Sequence, residues 1–164
     1  MSGTLILRNA KRREVPAIVR MLADDPLGDP REHAEEPLPR AYYDAFDATA
    51  GNLDNRLLVA ELDGEIVGTM QLVFIRGLSR LGATRAQIEA VRTTASNRGA
   101  GLGRQMLLAA IEMARDRGCA MVQLTTDKSR ADAHRFYESL GFVPSHEGMK
   151  LTLTSDDDNT PGAA

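Results

Sequence analysis

The sequence predicts an α/β or α+β domain, a sheet carrying helices on both faces. Apolar runs of strand character recur along the chain, and segments of helical spacing lie between some of them. The length, 164 residues, fits one domain with one sizeable core.

Taken in order, "TLILRNA" reads as a first strand over residues 4 to 9. "RREVPAIVRMLADD" reads as a helix, because Val15, Ile18, Val19 and Leu22 share one face and Pro16 falls in the first turn, where proline is tolerated. The proline-rich, acidic stretch over residues 25 to 39 predicts a long loop, and long loops in compact domains are often functional. "RAYYDAFDATAG" predicts a second helix that Gly51 stops. "RLLVAELDGEIVGTMQLVFI" predicts a hairpin, because Asp63-Gly64 is a strong turn pair between two apolar runs. "TRAQIEAVRTT" is a further strand candidate. A glycine-rich segment follows, then a helix to about Arg117 with Leu102, Met106, Ala110 and Met113 on its apolar face. "AMVQLTT" predicts a strand, and "ADAHRFYESLG" a short helix ended by Gly141. "FVPSHEGMKLTLT" reads as two short strands around His146 to Gly148. The acidic tail, 155–164, predicts disorder.

Composition excludes several function classes. Hydrophobic residues make up 43% and charged residues 26%, as in an ordinary soluble globular protein. The net charge of -3 argues against a broad basic surface, so no nucleic-acid partner is expected. Cys119 is the single cysteine, so no internal disulfide can form, and a reduced cytoplasmic setting is the expectation. No apolar run approaches the roughly 18 residues that span a bilayer, so no membrane partner is expected. The first residues do not read as a secretory signal. Three scattered histidines, His33, His134 and His146, lack the spacing of a ligand set, and no metal site is expected.

The segment "SNRGAGLGRQML" carries the chemistry. Gly99, Gly101 and Gly103 alternate at the mouth of a helix, where glycine is otherwise a poor choice. The first helical turn has N–H groups without intrahelical partners, and the helix dipole favours an anion there. Glycines let such N–H groups approach a phosphate closely. The spacing is not that of a dinucleotide fingerprint, and no Lys-Ser or Lys-Thr follows Gly103 as a P-loop requires. The pattern R-x-x-G-x-G runs from Arg98 through Gly101 to Gly103.

That pattern resembles the acyl-CoA signature of the GNAT superfamily of N-acetyltransferases. "IEAVRTTASNRGAGLGRQMLLAAIEMARDRGC" is similar to the family's fourth strand and following helix, and "ADAHRFYESLGF" to its next helix. The resemblance covers roughly residues 4 to 153. It implies a mixed, mostly antiparallel central sheet of about 6–7 strands with helices on both faces, in a single N-acetyltransferase domain over residues 1–154. It implies an acyltransferase that moves an acetyl group from acetyl-CoA to a primary amine by direct attack in a ternary complex. It places the CoA pyrophosphate on Arg98, Gly99, Ala100, Gly101, Leu102, Gly103 and Arg104, and the pantetheine arm on Val91, Arg92 and Thr93. Tyr137 matches the family tyrosine that often protonates the departing thiolate, a task that suits a phenol. Glu89 is the candidate general base; it stands two residues before Val91 on the same strand, so its side chain points to the same face. A salt-bridged surface glutamate is the alternative reading. Many family members have an asparagine seven residues before the tyrosine; here that position is Arg130, and a charge contact to CoA would replace the amide. The acceptor, a small-molecule amine or a protein amine, stays open. Homodimers are common in the family, and the residues do not decide the matter. The competing readings are a non-catalytic acyl-CoA-binding regulatory module and a nucleotide-binding protein that ignores CoA.

Overall fold

The computed structural model describes residues 3–25 and 31–153. The chain divides into two compact units, residues 1–124 and residues 125–164.

The first unit opens with β1 (Ile6–Asn9), a short 3-10 turn at Arg12–Glu14 and α1 (Val15–Ala23). Pro16 sits in the first turn of α1, as its missing N–H allows. α2 (Arg40–Thr49) follows. β2 (Asn55–Leu62) and β3 (Glu65–Ile75) form the expected hairpin, with Asp63 at φ 52° and Gly64 at φ 85°. Positive φ at both central residues matches the twist of the flanking strands. α3 (Ser79–Gly82) is a single turn in which Arg80 and Leu81 adopt left-handed dihedrals. Then come β4 (Arg85–Thr93), α4 (Leu102–Asp116) and β5 (Met121–Leu124).

The five strands form one sheet in the order β1-β2-β3-β4-β5. All neighbours are antiparallel except β4 and β5, which pair in parallel through the α4 crossover. α4 covers one face. Its buried Leu102, Met106, Leu107, Ala110 and Ala114 meet the even-numbered strand residues, including Met70, Leu72, Ala86 and Ile88. The approach is close at Gly68, where a Cβ would stand 2.5 Å from Met106 Sδ. α1 packs on the opposite face, where Ile18 and Met21 cluster with Val59. Leu38 joins Val15 and Val19 in a second cluster with Tyr42, Tyr43 and Phe46 packed against it.

At the outer edge, Arg8 donates to both carboxylate oxygens of buried Glu14, at 3.0 and 2.8 Å, and its Nε donates to Glu61 at 2.8 Å. β1, the entry to α1 and β2 are thereby tied together.

The second unit contains α5 (Ala131–Glu138). The two short strands expected over residues 142 to 153 do not form, so the sheet has five strands rather than six or seven. Pro144 removes a ladder donor, and Gly148 shortens the second run; a lone two-stranded hairpin is marginal in water. Val143, Met149, Leu151 and Leu153 are exposed accordingly. The acidic tail, 155–164, lies outside the described residues.

Candidate active site

β4 is the strand on which the site is built. Thr69 stands opposite Arg92 and Gln71 opposite Glu89, so three steps along β4 match two along β3. The extra residue is a β-bulge, marked by Ala90 at φ 52°. A bulge re-aims the strand, and it interrupts alternation between Glu89 and Val91. Their two-residue spacing therefore does not fix a common face, and that part of the expectation is corrected.

β4 also parts from its other neighbour. Its register with β5 runs from Arg85 opposite Met121 to Ile88 opposite Leu124 and stops there. From Glu89 to Thr93, β4 keeps β3 on one side and, among the described residues, has no ladder partner on the other. Strand backbone with a bare edge offers a row of donors and acceptors to an extended ligand. Val91, Arg92 and Thr93 lie on this stretch.

The chain leaves β4 through a 3-10 turn at Ala95–Asn97 and enters α4 at Gly101. Gly99 and Gly101 hold φ of 78° and 77°, a region in which a side chain is strained. A Cβ at either position would meet no protein atom within 4 Å, so both glycines border open space. The helix has no side-chain cap, and its bond from the Gln105 N–H reaches Gly101 O. The N–H groups of Leu102 and Gly103 have no carbonyl four residues back inside the helix, and they point along its positive end. These groups fit the diphosphate of a CoA ester: donors without helical partners, a favourable dipole and no side chain in the way.

Two arginines of this region, Arg92 and Arg98, are engaged by the end of α1. Arg98 Nη2 donates to the Asp24 backbone oxygen at 2.6 Å and to its carboxylate at 2.7 Å. Arg92 pairs with Asp25 at 2.8 Å, and Asp25 is only 6% exposed. Arg92 and Arg98, both expected among the CoA contacts, are thus each paired with an acid at the end of α1.

Glu89 is exposed on β4. One face of the sheet carries a polar row beside it. Gln71 Nε2 donates to Asn55 at 2.7 Å, and Gln123 Nε2 donates to Gln87 at 2.6 Å. Sequence reasoning passed over Asn55, Gln71 and Gln123. The available signal was a glutamine inside the apolar run of β3. Cys119 is half-buried, and burial pushes its thiol pKa up, which suits an unreactive cysteine.

In the second unit, Tyr137 packs between aromatic rings, 5.3 Å from Phe136 and edge-on to Phe142 at 5.9 Å between centroids. Its carbonyl accepts the N–H groups of Leu140 and Phe142 and so closes α5. Arg130 is the N-cap residue of α5, and its carbonyl accepts from the His134 N–H. Lys128 is paired with Glu147 at 2.5 Å.

Residues 17–142 match the model of the acetyltransferase (GNAT) family. The chain belongs to that family. Among GNAT relatives, it is 36% identical over 90 residues to glucosamine 6-phosphate N-acetyltransferase of Trypanosoma brucei brucei, a match covering 55% of this chain and 59% of the relative. It is 32% identical over 107 residues to aminoalkylphosphonate N-acetyltransferase of Salmonella typhimurium, covering 65% and 69%. The match thus spans little more than half the length of the trypanosomal relative. A crystal structure described as a transcriptional regulator from Bacillus halodurans C-125 superposes with a TM-score of 0.88 at 47% identity, covering 92% of this chain and all of that one.

Among the described residues, no group of three or more His, Cys, Asp or Glu side chains could hold a metal ion. No helix among them is long and apolar enough to cross a membrane.

Proposed function

We propose that this GNAT protein transfers an acetyl group from acetyl-CoA to a primary amine by direct attack in a ternary complex. The observation that carries the proposal is the bare edge of β4 from Glu89 to Thr93 leading into the glycine-flanked start of α4. The N–H groups at Gly101 to Gly103 take the CoA diphosphate, and the backbone of Val91 to Thr93 takes the pantetheine arm. Backbone N–H groups of β4 polarise the thioester carbonyl, as an oxyanion hole would.

The amine must first be neutral. Glu89, directly or through water, accepts its proton. The nitrogen lone pair attacks the thioester carbon, the C–S bond breaks, and the thiolate leaves with a proton from the Tyr137 hydroxyl. No covalent enzyme intermediate is needed. The names of the two curated relatives support a small-molecule amine as acceptor.

Thermal-shift titration with acetyl-CoA, CoA, ATP and NAD tests the cradle. A ligand at a hundred times its Kd adds about 2.7 kcal/mol. Stabilisation by the two CoA species alone, followed by thiol release with an amine panel, is the expected outcome. A regulatory acyl-CoA sensor is the second reading, favoured by the description of the Bacillus halodurans relative. It predicts stabilisation by acetyl-CoA with no thiol released for any amine.

A further inference from the structure

The odd-numbered residues of β3 face away from α4, because Gly68 and Met70 face it. Register carries this face across the sheet: Gln87 stands opposite Val73, Arg85 opposite Ile75, and Glu89 opposite Gln71. No bulge intervenes between Arg85 and Glu89, so these two and Gln87 share one side of β4. α1 covers the other half of this face, around Val59. The half around Gln87 keeps half-buried polar side chains and exposed Glu89.

Arg85 is the outlier in this row. It is half-buried, and its Nε is fully buried without a hydrogen-bond partner. Among the described residues no carboxylate pairs with it. A half-buried guanidinium without a counter-ion is costly unless a ligand supplies the charge. Arginine's planar fork suits a carboxylate, phosphate or phosphonate. Between Arg85 and Glu89, Gln87 and its partner Gln123 offer neutral groups that both donate and accept. The span from Arg85 to Glu89 is about 13 Å at 3.3 Å per residue, and the reach of both side chains shortens it to that of a small molecule.

We infer that Arg85 anchors an anionic group of the acceptor, with Gln87 and Gln123 along its length and its amine directed to Glu89. The acceptor is then a small amine that carries a phosphate, phosphonate or carboxylate at its far end. This rests on the acetyl-transfer reading for the role of the amine, while the anion site stands on Arg85 itself.

Calorimetric binding of matched pairs to the CoA-saturated protein tests it without requiring turnover. The pairs are glucosamine with glucosamine 6-phosphate, and ethanolamine with 2-aminoethylphosphonate; β-alanine adds a carboxylate. The anionic member of at least one pair should bind about tenfold more tightly or better, and the preference should shrink with salt. Arg85→Met keeps the stem and should abolish the preference while leaving the neutral amine unchanged; Arg85→Lys should keep part of it. Gln87→Met should weaken both members of a pair. Equal binding of the pair members by the wild type, no binding of any, or a preference that survives Arg85→Met, would overturn the assignment. Thiol release in the same samples separates the two ideas. Turnover of both pair members alike sustains acetyl transfer and sinks the Arg85 site. Discrimination without thiol release sustains the site and sinks acetyl transfer.

Discussion

Arg92 Nη2 stands 2.8 Å from the buried carboxylate of Asp25, so the strand beside the proposed thioester is tied to the end of α1. Arg92 also donates from Nη1 to the Val91 carbonyl at 2.8 Å. One side chain thus fixes both the backbone of the bulged strand and the residue that follows the C-cap of α1. Asp25→Asn leaves the Arg92 charge uncompensated in a partly buried place. Removing one partner of such a pair costs about 3 kcal/mol. Urea unfolding of the variant should show that loss, and a double-mutant cycle with Arg92→Met should recover much of it. Strict additivity of the two single losses would mean the pair is not coupled.

Gly101→Val tests the cradle from the chain's side. The residue needs φ near 77°, which costs a β-branched side chain about 1–2 kcal/mol. No protein atom crowds the site, so any further effect falls on a ligand. CoA affinity by calorimetry should fall well beyond the change in stability. An unchanged Kd would place the pyrophosphate elsewhere.

The parts of this fold that a sequence reader finds are those with local causes. Asp63-Gly64 needs only its own dihedrals to turn a hairpin, and it does so. The glycines before Leu102 likewise mark a helix start, and Gly99 and Gly101 take the left-handed dihedrals that favour glycine. The bulge carries no such mark, because Ala90 is an ordinary strand residue forced to positive φ by the mismatch of β3 and β4. Arg98 reaches Asp24 across 74 positions of sequence, and such pairing has no local signature. Residues 149 to 153 alternate as a strand should, yet alternation supplies no partner, and no strand forms. The amide row needed the register of four strands before Asn55, Gln71, Gln87 and Gln123 could be set side by side.

Acid stability follows from Glu14. Hydrogen bonds from Arg8 hold its carboxyl below the ordinary value of 4.5, against the opposing effect of burial. A carboxyl with a depressed folded pKa contributes stability above its unfolded value, and that contribution disappears as pH falls through the folded value. Glu14→Gln removes the charge at similar shape. The variant should be less stable at neutral pH and should show a flatter decline between about pH 5 and pH 2. Parallel stability curves for the two proteins across that range would remove Glu14 from the acid limb.

Tyr137→Phe addresses the proposed leaving-group acid. The ring contacts with Phe136 and Phe142 do not involve the hydroxyl, so the variant keeps the packing of its unit. Acetyl-CoA affinity should then be unchanged. Turnover should drop by about a hundredfold or more, the scale on which a positioned acid acts. The loss should appear in kcat and kcat/KM together, because the proton is given only as the C–S bond breaks. A thiol of lower pKa needs less help in leaving, so a more acidic thioester should restore part of the lost rate. A variant equal to the wild type in kcat, or one whose defect lies only in KM, would take the acid role away from Tyr137.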